Sequence, residues 1–312
     1  MNIAIDIGAS KIAYTALFDG REVNHKLEIG KTETAESVFQ RLQINFENLL
    51  DKNTLAKTIA VSSAANIDKL GVIVGWPNRS DWIGINIIHW LKQFVTEKIF
   101  WCDDGIAGTI ADSNTLAGNY LHLCLGTGFG GGLIYNGRLV GESELGHLVV
   151  QANGRPCVCG LSGCIQAYVS VGSYRKYLEE NNGKDEYQLT QQWLSDAIEY
   201  TAAYLNNMCR FFNIKHVSFS GGLTNIFPNF ISSVSKSLET MYGINKQSGL
   251  VLQQSPYKDN ASLHGVKLIA SQGVTDRLVC SNNGTPSVQC FDLRIRSIED
   301  HKRDIPNVGN YG

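Results

Sequence analysis

Apolar residues in this chain form short runs that alternate with helical spacings, and glycine-rich turns separate them. Positions 2–7 make one brief apolar run and IAYTALF at 12–18 another, so the small-residue turn between them predicts a hairpin. From 37 to 50 the spacing becomes helical, with Val38, Leu42, Phe46 and Leu49 on one side. Strands are expected at 58–63 and 71–74. The stretch 82–98 has helical spacing in its second half, and a short strand at 99–102 runs into Asp103-Asp104. A helix of small residues is expected at 106–118.

The second half repeats the theme. A strand at 120–125 leads into Gly126-Thr127-Gly128-Phe129-Gly130-Gly131-Gly132. Runs at 133–135 and 138–140 flank Asn136-Gly137, a strong hairpin signal. The longest amphipathic helix is expected at 193–212, followed by a strand at 216–220 and the pair Gly221-Gly222. Such blocks in both halves predict two related α/β domains facing a cleft. Their expected limits are 1–105 for the N-terminal lobe and 106–271 for the C-terminal lobe. From 272 to 312 the pattern breaks down into a divergent tail, with a short strand near 288–295.

Composition then removes several function classes. A chain of 312 residues is long enough for two ordinary domains. A net charge of -2 gives no electrostatic case for a nucleic acid or an anionic membrane as partner. No apolar run approaches the roughly 18 residues that span a bilayer. The opening MNIAIDIGASK has no cationic leader and already reads as a strand. Eight cysteines, some at metal spacing, suit a reducing interior, so the cytoplasm is the expected location.

Three constellations carry candidate chemistry. Asp6, Gly8 and Ser10 place a carboxylate beside a turn whose amides and hydroxyl suit phosphate oxygens, while the carboxylate suits magnesium, the alternative being a plain hairpin turn. Five glycines within 126–132 imply either backbone that approaches a ligand closely or a flexible hairpin loop. Neither turn is a Walker A loop or a dinucleotide fingerprint. Asp103-Asp104 offers a base at a strand end; adjacent side chains alternate there, so one of the pair faces a substrate, unless the pair is simply a helix cap. Phosphoryl transfer to an alcohol needs these parts together: a phosphate cradle, a metal and a base. Finally, His147 with Cys157, Cys159 and Cys164 can complete a tetrahedral zinc shell, the alternative being unrelated cysteines or one disulfide. Glu144 lies three residues before that histidine.

In this order, DIGASK, LGTGFGGGLIYNGRL, ELGH with CVCGLSGC, FSGGL and HGVKLIAS make residues 1–271 resemble the ROK sugar kinases of the actin-like ATPase fold. The resemblance implies two actin-like, ribonuclease H-like domains, with mixed sheets flanked by helices around an interdomain cleft. It implies ATP and Mg2+ as cofactors, with Asp6 near magnesium. Gly8, Ser10 and Lys11 belong to the opening phosphate loop, Gly126, Thr127 and Gly128 to the second, and Gly221 and Gly222 to the adenosine side. Asp104 is the implied general base. Asn78, Asp103, Glu144, His147 and Gln166 are the implied sugar contacts, and His147 shares with Cys157, Cys159 and Cys164 a structural Zn2+. A homodimer or homotetramer is implied.

Four places depart from the family pattern: Ala9-Ser10 for glycine and threonine, Asp103 for asparagine, Ile106 for asparagine, and Gln166 for glutamate. They cluster near the sugar, which leaves glucose, fructose, mannose, an N-acetylhexosamine or a cyclitol as acceptors. Two other readings are a catalytically degenerate sugar-binding relative and a ROK-type transcription regulator. The phosphate loop begins at residue 6 with no basic segment ahead of it, which argues against the regulator.

Overall fold

The computed structural model describes residues 1–49, 55–113, 115–140, 144–244, 249–274 and 287–294. Strands β1 (Asn2–Ile7) and β2 (Lys11–Phe18) form the expected hairpin, and β3 (Arg21–Glu28) extends it. The sequence reading missed β3 because REVNHKLE buries Leu27 alone, and its charges suit an exposed edge. Helix α1 (Ala35–Leu49) starts two residues before its expected limit and buries Val38, Phe39, Leu42 and Phe46. Strand β4 (Ala56–Ser63) runs parallel to β1, and β5 (Asn66–Ile67) pairs with β6 (Ile73–Gly75).

The helix expected as far as 98 is corrected to the short α2 (Ile87–Leu91), followed by one 3-10 turn. Strand β7 (Val95–Cys102) begins where β-branched Val95 and Thr96 enter register with β4, and pairing with a sheet overrides the helical spacing. The complete sheet contains a strand from the expected tail, β13 (Val288–Asp292), in the order β13-β7-β4-β1-β2-β3.

Helix α3 (Asp104–Asp112) then crosses to the second sheet and stops six residues before its expected end. Strands β8 (Tyr120–Leu125), β9 (Phe129–Tyr135) and β10 (Arg138–Val140) follow as a meander. Both turn residues between β9 and β10 have positive φ, 50° at Asn136 and 72° at Gly137, as a two-residue hairpin of this type requires. After α4 (Val171–Glu180) and α5 (Glu186–Phe212) come β11 (His216–Ser220), α6 (Leu223–Ile226), α7 (Phe230–Tyr242), β12 (Val251–Gln254) and α8 (Ala261–Gln272). The second sheet has the order β10-β9-β8-β11-β12.

The glycine run is not one loop. Gly130, Gly131 and Gly132 lie inside β9, because α3 packs directly on that strand. Gly131 has φ +151°, and a Cβ there would sit 2.1 Å from the His122 carbonyl oxygen. Each lobe has its own apolar cluster, and a third joins them. Ile106 and Ile110 of α3, Val266 and Ile269 of α8, Phe100 of the first sheet and Tyr120 of the second meet in that joining core. The α3–α8 pair therefore fixes the two sheets on either side of a cleft.

Candidate active site

The cleft measures about 1390 Å³. A pocket for one drug-sized ligand holds roughly 300–1,000 Å³, so this volume has room for two substrates side by side. Its floor is built from the ends of β1 and β7 and the first turn of α3, a place where backbone direction changes and polar groups are left for ligands.

Asp103 is the N-cap of α3. Its Oδ1 accepts from the Gly105 amide at 2.8 Å and the Ile106 amide at 3.3 Å. The cap reading thus applies to Asp103 and leaves Asp104 in the first helical turn, on the cleft floor. Burial raises the Asp104 pKa, against the pull of the Gly105 amide and the His122 imidazole. Asp6, next to last in β1, lies on the same floor and accepts from Ser62 Oγ at 2.8 Å. Its pKa is pushed up to about 6, first by burial and then by the charge of Asp104, with Ser62 and Lys11 opposing. Two carboxylates that repel through a shared space make a natural seat for a cation, because a positive charge between them removes both penalties.

The phosphate-type turns border this floor. Gly8 N–H donates to the Lys11 carbonyl at 2.9 Å, closing the first turn, and Gly8, Ser10 and Lys11 all line the cleft. In the second turn the Gly126 and Thr127 carbonyls accept from the Val171 and Gly172 amides at 2.8 and 3.1 Å. With those acceptors occupied, Gly126, Thr127 and Gly128 offer a ligand donors, the chemistry phosphate wants. Gly221, with φ +89°, brings the Gly221-Gly222 turn against this loop; a Cβ there would lie 2.5 Å from the Leu125 carbonyl carbon. Both of those glycines line the cleft.

The sugar-side candidates also line the cleft. Asn78 is exposed to the cleft within a 3-10 segment, Pro77–Trp82. Gln166 lines the cleft as well, yet its Oε1 accepts from Phe129 N–H at 2.9 Å. That bond ties the cysteine segment to the glycine turn, a role the sequence did not suggest. Glu144 Oε2 lies 3.5 Å from His147 Nε2, and both line the cleft.

The other imidazole nitrogen faces the thiols. His147 Nδ1 is 3.4 Å from Cys157 Sγ, and Cys159 Sγ is 3.7 Å from Cys164 Sγ. All four ligand atoms lie within 4.8 Å of one another. A zinc tetrahedron with bonds of about 2.3 Å to sulfur and 2.0 Å to nitrogen has S–S edges of roughly 3.8 Å and S–N edges of roughly 3.5 Å. A disulfide would need about 2.05 Å. The residues therefore fit zinc and do not form a bridge.

Sequence reasoning missed Arg79, which is 4% exposed. Its guanidinium donates to the Ala9, Gly30 and Glu33 carbonyls and pairs with Asp81 at 2.9 Å, while it stacks on Trp82. It so holds the Asn78 segment against the first phosphate turn. An arginine beside a tryptophan carries no local signal, since its partners lie up to 70 positions away. Arg175 and Lys176 of α4 also line the cleft and add cations that no motif announced. Behind the second sheet, His122 Nδ1 meets Asp112 Oδ2 at 2.7 Å and His122 Nε2 meets Ser220 Oγ at 2.9 Å. Ser218 and Ser255 also donate to Asp112.

A sequence model of the ROK family matches residues 2–273. The kanosamine kinase of Amycolatopsis mediterranei (strain S699) is 26% identical over 290 residues, which are 86% of this chain and 95% of that enzyme. Among solved structures, the ROK hexokinase from Thermus thermophilus has a TM-score of 0.71 at 22% identity, covering 86% of this chain and 97% of that one. The ROK glucokinase from Streptomyces griseus, in complex with glucose and AMPPNP, has a TM-score of 0.66 at 19% identity, covering 87% and 99%. The mixed sheets and intervening cleft are those of this actin-like fold.

Proposed function

The chain belongs to the ROK family, and from that premise we propose that it is an ATP-dependent carbohydrate kinase, which transfers the γ-phosphate to a hydroxyl of a hexose or a sugar-like cyclitol. The observation that carries this reading is the pair Asp6 and Asp104, which line one cleft together with both phosphate-type turns. The likeness to a kanosamine kinase over 86% of the chain supports an acceptor of the sugar class.

In this reading Asp104 takes the proton from the acceptor hydroxyl as the phosphoryl group arrives. Its raised pKa makes it a better base than an ordinary aspartate, although the loose transition state asks mainly for positioning. Asn78, Glu144 and His147 hold the ring hydroxyls, and Asp103 holds the helix end that presents Asp104. Gly8, Ser10 and Lys11, with Gly126, Thr127 and Gly128, hold the phosphates. The adenosine side lies against Gly221 and Gly222. Bound Mg2+ near Asp6 supplies neutralisation of the transferring phosphate's charge. Zn2+ held by His147, Cys157, Cys159 and Cys164 is structural, and fixing Nδ1 there leaves Nε2 to meet the substrate. Gln166 secures the turn beneath the phosphates. Cytoplasmic residence and a homodimer or homotetramer complete the proposal; among the described residues no helix is long and apolar enough to cross a membrane.

The test is ADP release with Mg2+-ATP across hexoses, N-acetylhexosamines, amino sugars and cyclitols. Turnover confined to one or a few of these is expected. Silence across the panel, with sugar binding still measurable by calorimetry, would mark a non-catalytic sugar-binding relative instead.

A further inference from the structure

The family match ends at residue 273, but the first sheet does not. Strand β13 lies beyond that limit and pairs antiparallel with β7, the strand that delivers Asp103 and Asp104 to the cleft floor. Val288 stands opposite Cys102 and Gln289 opposite Trp101, so the start of β13 lies beside the end of β7. Side chains alternate along a strand. Val288 is 3% exposed and fills the core between the lobes, whereas Ser287 and Gln289 share the other face and line the cleft.

The segment is held in place at its far end. Leu293 N–H donates to the Glu97 carbonyl at 2.8 Å, and Arg294 pairs with Asp292 at 2.6 Å and with Glu97 at 3.6 Å. At the cleft end, Gln289 Nε2 donates to the Ile67 carbonyl at 3.4 Å, and Trp101 Nε1 donates to the Ala65 carbonyl at 3.3 Å. Both contacts reach the β4–β5 corner, whose Asn66 also lines the cleft. A carbonyl partner can only accept, so it identifies the nitrogen end of the Gln289 amide and leaves Oε1 as the acceptor for a ligand.

We propose that β13 is an added wall of the acceptor subsite, and that Gln289 is a specificity-determining residue accepting a hydrogen bond from a hydroxyl or amino group on the sugar or cyclitol, away from the hydroxyl that Asp104 deprotonates. This rests on the kinase reading. Asp103, one of the departures from the family pattern, follows the β7 end that β13 borders, and both line the cleft.

The experiment compares full-length wild type with Gln289→Ala and Gln289→Glu, measuring kcat and KM for the preferred acceptor, KM for ATP, and acceptor binding by calorimetry without nucleotide. Loss of one hydrogen bond predicts about a five- to tenfold rise in acceptor KM and Kd for Gln289→Ala. The kcat and the KM for ATP should stay within about twofold. Gln289→Glu keeps an acceptor and should bind a donor-bearing sugar better than Gln289→Ala does. The corresponding deoxy acceptor, lacking the donor, should bind wild type and Gln289→Ala equally. Acceptor KM and Kd unchanged in Gln289→Ala, or changed together with KM for ATP, would overturn the proposal. If wild type binds sugars but never turns over, the kinase reading fails while the calorimetry still decides the role of Gln289. If wild type binds no member of the panel, both readings fall.

Discussion

Asp6 and Asp104 show how two side chains set the chemistry of the whole floor. Asp104→Asn keeps the size and the amide-accepting oxygen but removes the proposed base, so turnover should fall about 10²- to 10⁴-fold. Sugar affinity should change less than about threefold by calorimetry; an equal loss in both would make Asp104 a binding residue only. Asp6 gives a separate, metal-free prediction. Its folded pKa of about 6 lies above the ordinary value of 3.8, so the fold prefers the protonated form. Its contribution is fully favourable below about pH 4 and is lost as pH rises through 6. Asp6→Asn cannot ionise and can still accept from Ser62. In EDTA the variant should therefore be more stable than wild type at pH 8, by about 1–2 kcal/mol after allowing for partial exposure, with the gap shrinking towards pH 4. Thermal melts across that range check the sign; a gap that grows in acid contradicts it.

At the scale of elements, close backbone packing and metal ligation decide what local pattern cannot. A Cβ on Gly132 would lie 2.5 Å from Thr109 Oγ1 and 3.1 Å from Thr109 Cβ, a clash between β9 and α3 that rests on one side chain. Gly132→Ala should destabilise by about 1–3 kcal/mol. Thr109→Ala removes the offending oxygen and methyl, and should recover at least half of that loss in a double-mutant cycle followed by urea unfolding. Gly131→Ala meets the His122 carbonyl instead, and no side-chain change relieves it. The cysteine segment makes a parallel case: purified protein should hold one zinc per chain by elemental analysis, and Cys159→Ser should lose it and raise acceptor KM more than ATP KM. That knuckle was legible because its donors lie between 147 and 164, within one stretch of chain. Strands β1, β8, β10 and β11 were legible too, since their apolar runs are bounded by turn residues. What the sequence hid was pairing at a distance. VTEK at 95–98 reads as the end of a helix until β4 claims it, and the pairing of β13 depends on a partner strand nearly two hundred residues earlier. The glycine run reads from sequence as ligand-approaching backbone or a flexible loop, because helix packing on a strand demands the same residue as a phosphate does.

Across the whole molecule, an apolar core joins the two sheets, and one buried polar cluster ties α3 to the second sheet. Asp112 closes α3, His122 lies in β8, Ser218 and Ser220 in β11, and Ser255 follows β12, so four parts of the chain converge on one carboxylate and one imidazole. Burial alone would raise the Asp112 pKa, but the hydrogen bond and charge of His122, with the hydroxyls of Ser218 and Ser255, hold it below the ordinary aspartate value. Ser220 immediately precedes Gly221-Gly222 and lines the cleft, so the cluster also positions the turn assigned to adenosine. Removing the carboxylate leaves His122 buried beside a weaker partner. Asp112→Asn should therefore destabilise by about 3–5 kcal/mol at pH 7, and any folded variant should show a raised KM for ATP with acceptor Kd nearly unchanged. A carboxylate whose folded pKa is depressed gives stability that is present above the unfolded value and fades as pH falls through the folded one. The difference between wild type and Asp112→Asn should accordingly hold from pH 7 to about 4 and narrow only below that, in unfolding curves recorded at each pH. A difference already lost by pH 6 would contradict a depressed Asp112 pKa.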